Sequence, residues 1–287
     1  MAALIAGVIS ATLGSYYLAQ GSAWPSSDLD GHIATIELYR TSLEQGVFWP
    51  YDRTAAFGCD GIAYYGWFFD IMLGFVALVL QHLGVVSSAA CTVIGTILAA
   101  LALLPLTASW TAAQCAGPLT DRTDRQWVHV AGALASFTFL AGFSGDGLTG
   151  IGMGTVAMGM LNQVVGWNLL LLLIGAAART VQRTDQQLVD GAVVVSTAAL
   201  LSTHTLSSLA GAIALIPFIS RAPKRLLVSG LLGTCLALGS IAAVMAVSDR
   251  LAPLAPWKSL SASDPLLAVA GSVLAGQGME RFLIPAS

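Results

Sequence analysis

"SSDLDGHIATIELYRTSLEQGVFWPYDR", residues 26–53, carries five carboxylates and two arginines in 28 positions. No separate stretch of that length carries as many charges. Of the 287 residues only 9% are charged and 56% are hydrophobic, where a soluble domain carries about 25% charged residues. The 27 charges are also clustered: eight from Asp28 to Asp60, four from Asp121 to Arg125, four from Arg179 to Asp190, three from Arg221 to Arg225 and six from Asp249 onward, with Asp70 and Asp146 left over. Between the clusters run apolar stretches close to the roughly 20 residues an α-helix needs to cross a bilayer. Residues 26–53 therefore read as a polar loop of an all-α polytopic membrane protein.

The apolar runs lie at about 2–20, 64–86, 88–113, 128–144, 161–178, 187–203, 205–219 and 226–247, and they predict seven or eight transmembrane helices. The chain divides accordingly into a first membrane helix (1–20), an acidic and aromatic loop (21–63), a helix bundle (64–248) and a C-terminal loop with a partial helix (249–287). The first run has no Lys/Arg before it and is longer than a signal-peptide core, so it reads as a retained membrane helix. Arg179, Arg183, Arg221, Lys224 and Arg225 predict cytoplasmic loops, and the acid-rich loop suits the opposite face. These assignments conflict in one respect. One crossing per run from the first loop returns the chain to the outside at Arg179, so either 64–113 holds an interfacial helix or "GDGLTGIGMGTVAMGMLNQ" makes an extra pass.

A net charge of −3 with no basic stripe excludes a nucleic-acid partner. Cys59, Cys91, Cys115 and Cys235 lack the paired spacing of a zinc or redox motif and read as small apolar fillers. "GDGLTG" at 145–150 fits G-x-G-x-x-G, but an apolar run precedes it and Trp167 and Asn168 stand where the ribose-binding acid belongs. Close helix packing through small residues is the better reading.

Within the loop, "IATIELYRTSLEQG" predicts an amphipathic helix lying on the membrane surface, with Ile33, Ile36, Tyr39 and Leu43 on one face and Glu37, Arg40 and Glu44 paired on the wet one. Asp30 stands where an N-cap belongs, and Asp28 suits a turn. The pair also has chemistry available: carboxylates ligate magnesium or manganese, and one of them can accept a proton from an attacking hydroxyl. Trp49, Tyr51, Tyr64, Tyr65 and Trp67 suit a membrane interface, and such rings also stack on sugars.

Taken in order, "SDLDGH", the interfacial helix, "LEQGVFWPYD" and "FGCDGIAYYG" after a first membrane helix resemble the N-terminal part of the GT-C superfamily of polytopic glycosyltransferases. The closest likeness is to the bacterial and archaeal membrane proteins labelled 6-pyruvoyl-tetrahydropterin synthase-related. The resemblance covers about residues 1–90; "GIAYYGW" lacks prolines often seen there, and family members usually have more spans than this chain. It implies an enzyme that moves a sugar from a polyprenyl-phosphate donor to an extracytoplasmic acceptor at the plasma (inner) membrane. Asp30 would be the catalytic base, and Asp28 would assist and help hold a Mg or Mn ion with Asp30. His32, Trp49, Tyr64, Tyr65 and, in "STHTLSS", His204 would bind substrate. Membrane lipids and a partner membrane subunit complete the implied partners.

The rival readings are a non-catalytic subunit or inactive relative, and a transporter. Ionisable groups inside a membrane bundle mark substrate or ion paths, and Asp70, Asp146 and His204 could make one. His204 also reads as a turn histidine satisfied by nearby hydroxyls. His82 and His129 flank helix ends and read as interfacial.

Overall fold

The long central helix is the frame on which the others are placed. In the computed structural model, which describes residues 1–21, 28–46, 67–118, 121–137, 156, 161–183 and 187–251, nine helices occur among the described residues and no strand. They are α1 (Ala2–Gly21), α2 (Asp28–Glu44), α3 (Trp67–His82), α4 (Ala89–Ala116), α5 (Arg122–Ala135), α6 (Leu161–Gln182), α7 (Gly191–Thr203), α8 (Thr205–Ile219) and α9 (Pro223–Leu251). Trp49, Tyr64, Tyr65, Cys59, Asp146, the glycine-rich residues 145–155 and the tail 252–287 lie outside the described residues. The protein is a helical membrane protein: α1, α4 and α6 are long and apolar enough to cross a bilayer. The apolar helices α3, α7 and α8 have 16, 13 and 15 residues.

At 28 residues, α4 runs about 42 Å and touches α1, α2, α3, α5 and α6. Its contacts fix directions. Gly7 of α1 lies against Ala102 and Gly14 against Leu98 and Leu101, so α1 runs antiparallel to α4. α6 runs parallel to it: Asn168 Nδ2 donates to the Ala100 carbonyl at 2.9 Å, Thr111 Oγ1 donates to the Leu171 carbonyl at 2.7 Å, and Gln182 Nε2 donates to the Gln114 carbonyl. α5 turns back along α4, its His129 beside Ser109. α7 and α9 lie side by side in parallel, Ser229 meeting Asp190 and Gly233 meeting Val194 and Thr197.

Two ends of the bundle result from these directions. One gathers the C-termini of α4, α6 and α8 with the starts of α5, α7 and α9, and so Arg122, Arg125, Arg179, Arg183, Arg221, Lys224 and Arg225. The other gathers the end of α1, the start of α4 and α2 with its acids. Because α1 leaves and α4 enters at the same acidic end, residues 22–88 make no net traverse of the bundle. From the acidic end α4 and α6 both run toward Arg179, which puts Arg179 at the end opposite the acids of α2.

Hydropathy alone could not show this, because an apolar run that crosses and one that packs without crossing have the same composition. Leu18, Leu29, Ile36, Leu73, Val93, Ile97, Leu161 and Val164 form one buried cluster uniting α1, α2, α3, α4 and α6. Inside a bilayer such contacts hold by close van der Waals packing rather than by removal from water. A second cluster around Leu173, Val193, Leu200 and Leu226 joins α6 to α7 and α9. Cys91, Cys115 and Cys235, on α4 and α9, are free and exposed.

Candidate functional site

The acidic end is built on α2, which begins at Asp28 rather than after Asp30. Asp30 is therefore not the residue before the helix. It is exposed in the first turn, where the positive end of the helix dipole favours a carboxylate. His32, one turn in, is half-buried. The expected apolar face is present, with Ile36 and Tyr39 fully buried and Ile33 packed on the core. Its partner differs from the expectation: α2 lays this face on α3 and α4, not only on lipid. The contact is close because Gly74 of α3 has no side chain. A β-carbon there would stand 2.6 Å from the Tyr39 Cβ and 3.2 Å from the Arg40 nitrogen.

On the other side of α2 the expected pairs form. Arg40 reaches Glu37 at 2.6 Å and Glu44 at 3.0 Å. The Arg40 hydrogen bond holds the Glu37 carboxyl below its ordinary value, helped by the backbone of Ala89 at the start of α4. The N-cap of α4, Ser88, supplies no side-chain bond, so Glu37 braces α2 against an otherwise uncapped helix start.

One turn before Gly74, and so on the same face of α3, is Asp70. It is 4% exposed, and its Oδ1 is buried without a hydrogen-bond partner. Most buried polar groups in proteins are satisfied, which makes this oxygen an exception in need of a reason.

His204 is the single residue between α7 and α8, extended at φ −154° and ψ 116°. The two helices fold back at it, since Gly211 of α8 lies against Leu200 of α7. Its ring caps α8: Nδ1 accepts from the Ser207 backbone N–H at 3.2 Å and lies 2.8 Å from Ser207 Oγ. Accepting an N–H at Nδ1 places the ring proton on Nε2. The corner is buried against Gly166 of α6, where a β-carbon would meet Ser207 Oγ at 2.7 Å. The histidine is thus bonded through Ser207.

The structure brings α2, α3 and the start of α6 into one cluster, with the His204 corner against the same helix α6. Trp49, Tyr64 and Tyr65 fall outside the described residues, as does the side chain of Asp28. Positions 28 and 30, two apart on a regular helix, lie about 200° apart around its axis. Among the described residues no group of three or more His, Cys, Asp or Glu is placed to hold a metal.

At the basic end, a cleft of about 280 Å³ between α4 and α5 is lined by Trp110, Gln114, Arg125 and His129. A second of about 400 Å³ opens where α6, α8 and α9 meet. Sequence reasoning passed over Asp190, which the structure makes the centre of this end. Its carboxylate caps α7 through the Ala192 N–H at 2.9 Å, accepts from Thr180 Oγ1 and Arg183 at 3.0 Å each and lies 3.6 Å from Arg179. Burial pushes its pKa up, but the Thr180 bond, the backbone N–H groups and Arg179 outweigh that and leave it below the ordinary value. An acid directly before the apolar run "GAVVVS" is an N-cap signature and could have found it.

Compared with family models, curated proteins and solved structures, the chain matches none.

Proposed function

We propose that the chain is a membrane glycosyltransferase of GT-C type, transferring a sugar from a polyprenyl-phosphate donor to an acceptor at the acidic end of the bundle. The observation that carries this reading is the separation of charge along the bundle. Seven of the chain's twelve Lys and Arg gather at one end and the "SDLDGH" helix stands at the other. With the basic end in the cytoplasm, α2 lies at the extracytoplasmic surface of the plasma membrane. There a lipid-bound phosphate and a water-borne acceptor can meet.

Asp30, exposed in the first turn, is the base. It takes the proton of the acceptor hydroxyl as that oxygen attacks the anomeric carbon; the bond from carbon to the phosphate oxygen breaks with inversion, and the polyprenyl phosphate leaves with the electron pair. His32, two positions on and so about 200° around α2 from Asp30, contacts the donor away from the reacting carbon, and Trp49, Tyr64 and Tyr65 supply rings for the sugar. No step is routed through a metal.

A second reading has its own support in Asp70, a buried acid with an unpartnered oxygen, and in the helix break at His204. Both are features of transport paths. One experiment separates the two. Full-length protein in vesicles is given a panel of radiolabelled polyprenyl-phosphate sugars, and donor consumption is measured for wild type, Asp30→Asn and Asp70→Asn. Loss of about 100-fold or more in Asp30→Asn alone supports transfer. Unchanged turnover in Asp30→Asn removes the base from the proposal, and no turnover of any donor by wild type turns attention to transport.

A further inference from the structure

The cleft at the basic end where α6, α8 and α9 meet has no place in the proposed transfer. Arg183, Arg221, Lys224 and Arg225 line it, together with the start of α9. One nearby acid is already committed: Asp190 is 2% exposed and holds Arg179 and Arg183 from behind. Asp185 lies outside the described residues. Arg225 donates to the Thr180 carbonyl at 3.3 Å, which fixes its guanidinium at the wall. Arg221 and Lys224 are exposed. The helix that opens on the cleft begins with Pro223, so the positive end of α9 faces the same space. Four cations and a helix start around one concavity suit a phosphate group.

The surface beside the cleft decides the source of that phosphate. Leu227, Leu231 and Leu238 come three, seven and fourteen residues after Lys224, on one face of α9. All three are exposed, Leu231 at 63%. An exposed apolar stripe thus descends from the cationic cleft along the outside of a long helix in a membrane protein. A soluble anion needs no such stripe; a phospholipid fits both parts, its headgroup in the cleft and an acyl chain along the leucines. We propose that this cleft is a binding site for the phosphate headgroup of an anionic glycerophospholipid, with Arg221 and Lys224 as its principal contacts and the Leu227–Leu231 face as the acyl track. It stands apart from the glycosyl-transfer reading and survives that reading's failure.

The test uses the purified, delipidated full chain and counts bound lipid by native mass spectrometry, with phosphatidylglycerol and phosphatidylcholine as probes. Wild type should retain phosphatidylglycerol about tenfold over phosphatidylcholine, and Arg221→Gln with Lys224→Gln should bring the ratio close to one. Arg122→Gln with Arg125→Gln removes equal charge from the same end outside this cleft and should leave the ratio unchanged. Equal loss in both double variants, or no preference in wild type, overturns the site in favour of diffuse surface charge. Displacement of the lipid by millimolar inorganic phosphate overturns the lipid assignment and leaves a free-anion site. Should the double variant aggregate on gel filtration, Lys224→Gln alone is read in its place, with the same ratio as criterion.

Discussion

Two aspartates, each almost wholly buried, divide the molecule into unlike halves. Asp190 at the basic end has a hydroxyl, a backbone N–H and two guanidinium groups around its carboxylate. Asp70, on the α3 face that meets α2, has an oxygen with no partner at all. The contrast teaches where stability and where chemistry are to be sought. A carboxylate surrounded by donors ties helices together, as Asp190 ties α6, α7 and α9. One kept from water without a partner costs free energy, and a fold keeps such a cost where the group has another task.

The largest expected effect breaks the satisfied half. Asp190→Ala should lower stability by about 2–3 kcal/mol, below the ceiling for wholly buried pairs because Arg179 and Arg183 are over a third exposed. Thermal unfolding in detergent reads this as a fall in Tm; a change within error would mean that the cluster does not tie the helices. The same carboxylate sets an acid limit. Its folded pKa is depressed, so its stabilisation is complete above the ordinary aspartate value near 4 and is lost as pH falls through the lower folded value. Wild-type Tm should hold from about pH 5 upward and drop below about pH 4, and Asp190→Asn should lack that part of the acid slope.

Next in size, Gly74→Val should cost about 2 kcal/mol by forcing Tyr39 and the α2 backbone away from α3. Proteolysis at the acidic end should accelerate more than at the basic end. Asp70→Asn sharpens the contrast: it should leave Tm unchanged within error, because Oδ1 has no hydrogen bond to lose. A marked loss of stability would show that Asp70 is a structural acid like Asp190. The smallest effect, about 0.5 kcal/mol, is expected for Glu37→Gln, whose partner Arg40 also has Glu44 and whose own side chain is half-exposed.

Much of this architecture was legible in the sequence. Most apolar runs became helices, the one expected at 128–144 appearing instead as Arg122–Ala135; Ile36 and Tyr39 of the expected apolar face were buried, and Glu37, Arg40 and Glu44 paired as their spacing required. Periodicity fixes which face is apolar, but not what covers it, so the docking of α2 on α3 at Gly74 had no local signal. The same limit explains the crossing count, which depends on which helix ends share a face of the bundle. Asp30 was misplaced by one turn, because acids are favoured both at the cap and in the first turn. His204 was found as a polar break, yet its partner Ser207 was not: a histidine cap is uncommon, and the sequence displays several closer hydroxyls.

The His204 corner also bears on how the chain is assembled in the membrane. The arms on either side of it, of 13 and 15 residues, reach only about 20 and 22 Å against a hydrocarbon core about 30 Å thick. Alone in lipid, the pair would leave a histidine and its neighbouring hydroxyls inside the hydrocarbon. Gly166 of α6, already made when the hairpin emerges, offers the surface that receives them. The polar corner is therefore sheltered only once the hairpin has packed on α6.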